Sequence, residues 1–191
     1  MGKLLRQLLI TASFFVLISG SSAQITDKRM DEIDHLYEQT NEAIRIAEEN
    51  APYSEKYVIE IAVNKTGNSY PAVGTYSNVT KFHYTFGDRE KDPYPNRLLK
   101  ASVVTKRAAS ITSSEFLYNA AGQLVYGRVR SDGVEQRETR LYFAAGRLLR
   151  LIDDGREVNV RNRTVLETAA AFKRESARLT SMFVAAIKEG L

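Results

Sequence analysis

One short unit occurs twice in this chain, and it constrains the middle of the fold more than any other feature. Glu115-Phe116-Leu117-Tyr118-Asn119-Ala120-Ala121-Gly122-Gln123-Leu124-Val125 returns 24 residues later as Thr139-Arg140-Leu141-Tyr142-Phe143-Ala144-Ala145-Gly146-Arg147-Leu148-Leu149. The shared core is Tyr-x-Ala-Ala-Gly-x-Leu. A strand carrying the tyrosine arrives, a glycine takes the positive φ of a tight turn, and a strand carrying the leucine leaves. Ser131-Asp132-Gly133 and Asp153-Asp154-Gly155 supply the turns after each copy. Two such hairpins in series predict a meander of four strands.

The flanking sequence extends that sheet and adds a helix at each end. Tyr57, Ile59, Ile61 and Val63 alternate in a first strand. Thr80, Phe82, Tyr84 and Phe86 share a face of a second near 75–86, and Leu99, Ala101 and Val103 share a face of a third near 97–106. Pro93 and Pro95 close the loop before that third strand. Before the sheet, Ile33, Leu36, Tyr37, Thr40, Ile44 and Ala47 recur at helical steps, predicting a helix over 28–50 capped by Thr26 or Asp27. After it, Val165, Ala169, Phe172, Ser176, Leu179, Phe183 and Ala186 repeat every seven residues, predicting a helix over 164–189. Thr164 and Glu167 are spaced as its capping box. Leu166, Ala170, Val184 and Ile187 widen its stripe beyond a two-position seam, which favours docking on the protein's own sheet over a homodimer through this helix. The expected fold is α+β: an antiparallel meander of about six or seven strands, with the N-terminal and C-terminal helices packed on one face.

The repeated unit resembles the hairpin of tyrosine-aspartate (YD, or Rhs-type) repeats and of MORN-like repeats. In the first of these a Tyr-Asp-x-x-Gly-x-Leu unit is reiterated many times; here the aspartate position holds Asn119 in one copy and Phe143 in the other. The likeness covers residues 115–153 and implies the local hairpin shape. The whole chain resembles secreted bacterial proteins of the Bacteroidetes type, a likeness that brings no activity with it.

The N-terminus reads as an export signal. Lys3 and Arg6 precede an apolar run from Leu8 to Ile18, and Ser21-Ser22-Ala23 fits the small-x-small cleavage rule, placing the cut between Ala23 and Gln24. The apolar run is about half the ~20 residues a bilayer-spanning helix needs, so no membrane anchor is expected after cleavage. The chain has no cysteine, which excludes disulfides, thiolate metal sites and cysteine nucleophiles. Residues 24–191 then form a single domain in the periplasm or outside the cell, held by its core alone. Its charge is split: residues 24–96 carry net −5 and residues 97–178 net +7, so the basic pI reflects two opposed halves rather than a nucleic-acid surface.

Little in the sequence points to catalysis. There are two histidines. His35 lies between Asp31 and Glu38 on the acidic first helix without a second histidine at helical spacing, and His83 alternates away from Phe82 and Tyr84. No nucleophile elbow, phosphate loop or zinc motif is present, and neither catalytic residues nor a metal or cofactor is expected. What remains is tyrosine interleaved with arginine along the sheet, a composition suited to binding. Tyr118, Tyr126, Arg128, Arg130, Tyr142 and Arg150 are the candidate ligand-binding residues. The function expected is that of a non-catalytic exported module gripping a protein or cell-envelope partner. A small hydrolase and a self-associating structural protein are the alternatives.

Overall fold

The computed structural model describes residues 18–71, 74–87, 90, 97–133 and 135–190. The part of the expected export signal up to residue 17, and Pro93, Tyr94 and Pro95 of the expected loop, lie outside the described residues. In chain order the elements are α1 (Ile18–Glu49), β1 (Tyr57–Val63), β2 (Ser69–Tyr70), β3 (Gly74–Thr85), β4 (Arg97–Arg107), β5 (Ser110–Tyr118), β6 (Leu124–Asp132), β7 (Gln136–Ala144), β8 (Arg147–Asp153), β9 (Arg156–Val158) and α2 (Arg163–Gly190). Every strand pairing is antiparallel, in the order β1-β3-β4-β5-β6-β7-β8-β9, with β2 also paired to β3. The α+β meander is as expected. Its two additional strands, β2 and β9, have two and three residues, too few for an alternation to register in the sequence.

α2 docks along one face of the sheet through the seven-residue stripe. Val165, Ala169, Phe172, Leu179, Phe183 and Ile187 are buried against Phe82, Ala101, Phe116, Leu141, Phe143 and Leu151. The Phe172 ring stacks on Phe116 at 4.2 Å between centroids and lies near-parallel to Phe143. Gly127, on the strand beneath that ring, leaves no room for even a methyl group. Burying side chains as completely as Leu179 and Phe183 stabilises the fold by ~1.5–3 kcal/mol each.

The helix start differs from the capping box expected at Thr164. Asn162 is the cap: its Oδ1 accepts from the Thr164 N–H at 2.9 Å, while Glu167 pairs instead with Arg163. At the other end, α1 begins at Ile18 rather than Lys28 and runs through the expected cleavage point, because no proline interrupts residues 18–27. Thr26 and Asp27 therefore lie inside the helix and do not cap it.

α2 and the part of α1 from Tyr37 onward take one face each instead of sharing one. From Tyr37 onward, α1 meets Lys100, Glu115, Tyr126 and Arg128, which alternate away from the residues under α2. The central strands demand this. Phe116, Leu117 and Tyr118 are consecutive and all buried, as are Leu141, Tyr142 and Phe143, so both faces there require cover.

Candidate functional site

The α1 side of the sheet carries a half-buried polar cluster centred on Glu115. Its carboxylate accepts from the Tyr37 hydroxyl at 2.6 Å and pairs with the Lys100 ammonium at 2.6 Å and the Arg128 guanidinium at 2.8 Å. Lys100 also donates to Asn41 Oδ1 at 2.6 Å. Strand pairing sets these positions: Glu115 stands opposite Arg128 across β5 and β6, and Lys100 opposite Leu117 across β4 and β5. One turn of α1 brings Tyr37 and Asn41 down onto the same row. Both cations lie over the Tyr37 ring, 5.3 and 5.4 Å from its centre, and that ring packs on Tyr126, which in turn packs on Tyr142.

The titration of these groups follows from their neighbours. Burial alone would raise the Glu115 carboxyl, but Lys100, the Tyr37 hydroxyl and Arg128 together hold it below the usual carboxylate range. Tyr37 is pushed up to about 12, by burial first and then by the adjacent Glu115 carboxylate. Burial and the neighbouring Tyr142 and Tyr37 also push Tyr126 upward. His83, the cross-strand partner of Lys100, is lowered by burial and by the Lys100 charge, against the opposing pull of Glu48, whose Oε1 lies 3.6 Å from its Nε2. Neither ring nitrogen of His83 has a hydrogen-bond partner among the described residues.

This arrangement is a poor acid–base site. Three donors already occupy the two oxygens of Glu115, which leaves a strongly held anion with no reason to take up or give a proton near neutrality. Its geometry is that of a lock between α1 and the sheet. Among the described residues no group of three or more His, Cys, Asp or Glu side chains is placed to hold a metal ion, and no helix is long and apolar enough to cross a membrane.

The six candidate residues do not all meet. Tyr126, Arg128, Arg130, Tyr142 and Arg150 share the α1 side of the sheet. Tyr126 and Tyr142 are almost fully buried there, so they support the face rather than present it. Arg128 belongs to the Glu115 cluster, Arg130 and Arg140 both pair with Glu138, and Arg150 pairs with Glu157. Tyr118 is on the opposite side, its hydroxyl accepting from Ser176 Oγ at 3.1 Å under α2. There it lines a pocket of about 480 Å³ with Gly122, Leu124, Phe143, Lys173 and Thr180.

The two tyrosines separate because the repeated unit folds with two different turns. In the first copy Ala120, Ala121 and Gly122 form a three-residue loop, with Asn119 Oδ1 holding the Ala121 and Gln123 N–H groups and Gly122 at φ 72°. In the second, Ala145 and Gly146, both at positive φ, form a two-residue loop. Tyr118 therefore pairs with Leu124, whereas Leu148 pairs with Phe143 rather than Tyr142. A bulge at Val125 then reverses which residues of β6 face which side.

Sequence reasoning missed Tyr37, Asn41, Lys100 and Glu115. The one signal was a charge set directly beside an apolar pair, Lys100 after Leu98-Leu99 and Glu115 before Phe116-Leu117. Comparison of the chain with protein-family models, with curated proteins and with solved structures found no match.

Proposed function

We propose that this is an exported, non-catalytic binding module that recognises an acidic partner protein through a row of arginines on the α1 side of β6–β8. One observation carries this reading. Arg130, Arg140 and Arg150 share that face, with Arg140 directly opposite Arg128, and these three divide two carboxylates among them, Glu138 and Glu157. Like charges placed opposite each other across strands are destabilising. Guanidinium groups held in this way on a sheet present planar pairs of donors to incoming carboxylates. Arg130 is the most open of the three, with half its side chain exposed. The export signal and the absence of cysteine support placing the module outside the cytoplasm.

Calorimetric titration with soluble polyglutamate, using an uncharged polyglutamine as control, tests this reading. Binding is expected only to the anionic polymer, weakening as salt rises, and lost in the double variant Arg130→Glu, Arg140→Glu. Equal binding by that variant would remove the arginine row as the recognition surface. The hydrolase alternative has no comparable observation behind it.

A further inference from the structure

β1 pairs with β3 along one side, and among the described residues no strand lies along the other. Such an edge leaves a row of backbone N–H and C=O groups that serves as a template for another extended chain. β1 carries few of the usual guards against this: it has no proline and no bulge, and Glu60 is its single charge. Large exposed apolar side chains gather around it. Ile46 and Tyr53 line one pocket at the end of α1, Val58 and Val63 belong to the strand, and Tyr70 stands on β2 beside its far end. Tyr53 is 92% exposed.

The edge is complementary to itself. A two-fold axis through Glu60, perpendicular to the sheet, sets Tyr57 opposite Val63, Val58 opposite Ala62 and Ile59 opposite Ile61. Residues of one face then meet residues of the same face in the copy. The central Glu60 carboxylates are each offset within their own chain by Lys65 at 3.5 Å and Lys81 at 3.6 Å. A foreign strand would have to supply this apolar pattern and tolerate the central carboxylate, whereas a second copy brings the matching pattern and a Glu60 already offset by its own lysines.

We propose that β1 is a dimerisation edge, through which two copies of this chain join into one continuous antiparallel sheet. Pairing of the strands alone falls short of the ~800 Å² per partner of a standard interface. Ile46, Tyr53 and Val58 provide the further apolar surface.

Sedimentation equilibrium of the purified protein is expected to show a concentration-dependent dimer. Val58→Lys, a change at a side chain already half exposed, is expected to weaken it by roughly tenfold or more. Because the chain has no cysteine, single-cysteine variants report the register directly. Under mild oxidation Glu60→Cys is expected to cross-link to itself through a disulfide, and Ile59→Cys to do so with Ile61→Cys in a mixture but not alone, because only directly opposite positions come within disulfide distance. A protein that stays monomeric at its highest soluble concentration overturns the proposal. So does a dimer that tolerates Val58→Lys and is broken instead at Leu166 and Val184 on α2, or a Glu60→Cys protein that fails to cross-link.

Discussion

Glu115→Gln preserves the shape of the side chain and removes the charge on which the cluster converges. In the folded protein that carboxylate serves Tyr37, Lys100 and Arg128 together, and the side chains of Lys100 and Arg128 are only 10% and 26% exposed. Removing one member of a buried ion pair costs ~3–5 kcal/mol when the partner is left uncompensated. Here Lys100 keeps Asn41 as an acceptor, and both cations keep the Tyr37 ring, which places the cost near the lower end, ~3 kcal/mol. With a urea m-value of ~2 kcal/mol/M, the unfolding midpoint falls by ~1.5 M. The chain has no tryptophan, so far-ultraviolet circular dichroism is the appropriate probe. The pH dependence has a definite sign. The folded pKa of Glu115 is depressed below its unfolded value, so its contribution is fully present above that unfolded value and is lost as pH falls through the folded one. The gap between wild type and Glu115→Gln should therefore close in acid. Lys100→Met alone should also destabilise, but the double variant should lose less than the sum of the two, since each single change strands a charge that the double change removes. A cost below ~1 kcal/mol, or additivity within ~0.5 kcal/mol, would refute the account of the cluster as a lock.

Gly127→Ala drives a methyl group into the Phe172 ring, which is held in its stack with Phe116, so a loss of ~1–3 kcal/mol is expected in urea unfolding; a change under ~0.5 kcal/mol would show the ring free to move. Asn162→Ala removes the cap of α2 and should cost ~1 kcal/mol, whereas Thr164→Ala, at the position that only resembles a cap, should cost measurably less. Tyr37 has its pKa raised from 10.0 to about 12, so its contribution is complete below the unfolded value and lost as pH rises through the folded one. Midpoints measured across that alkaline window should fall less steeply in Tyr37→Phe than in wild type; parallel curves would remove Tyr37 as a source of the fall.

Much of the fold was written locally. Tyr57–Val63 alternates cleanly and forms β1 with those bounds, and the seven-residue stripe of α2 is buried nearly residue for residue, with Ile187 replacing Ala186 at its end. Departures begin where one irregular residue changes the parity of the rest of its strand. Leu99, Ala101 and Val103 alternate on paper, yet it is Leu98 that joins Ala101 in the core. The register of β4 slips between its pairings with His83 and Tyr84, leaving Leu99 as the extra residue. No local preference announces that slip. Leu98 and Leu99 are identical in kind, and only the requirement to pair with both His83 and Tyr84 on the neighbouring strand distinguishes them.

The same cause hid the site. Tyr118 and Tyr142 occupy equivalent places in the repeated unit, and both stand among the candidate ligand-binding residues chosen for tyrosine interleaved with arginine. Asn119, however, can hold two backbone N–H groups with its side chain and so favours the longer loop, whereas Phe143 at the matching position cannot and its copy turns in two residues. That single difference in side-chain chemistry sends one tyrosine beneath α2 and the other beneath Tyr126 and Tyr37. The cluster around Glu115 was harder still to see, because its four principal members come from α1, β4, β5 and β6 and are distant along the chain. A charge inside a strand looks the same in sequence whether it faces water or a helix. Once Phe116, Leu117 and Tyr118 are recognised as a run too apolar for one face to absorb, the uncovered side of the sheet must receive an element of its own. A glutamate next to that run must then find cations before it can be covered. Lys100 and Arg128 meet that requirement from the two adjacent strands, and Tyr37 closes it from above.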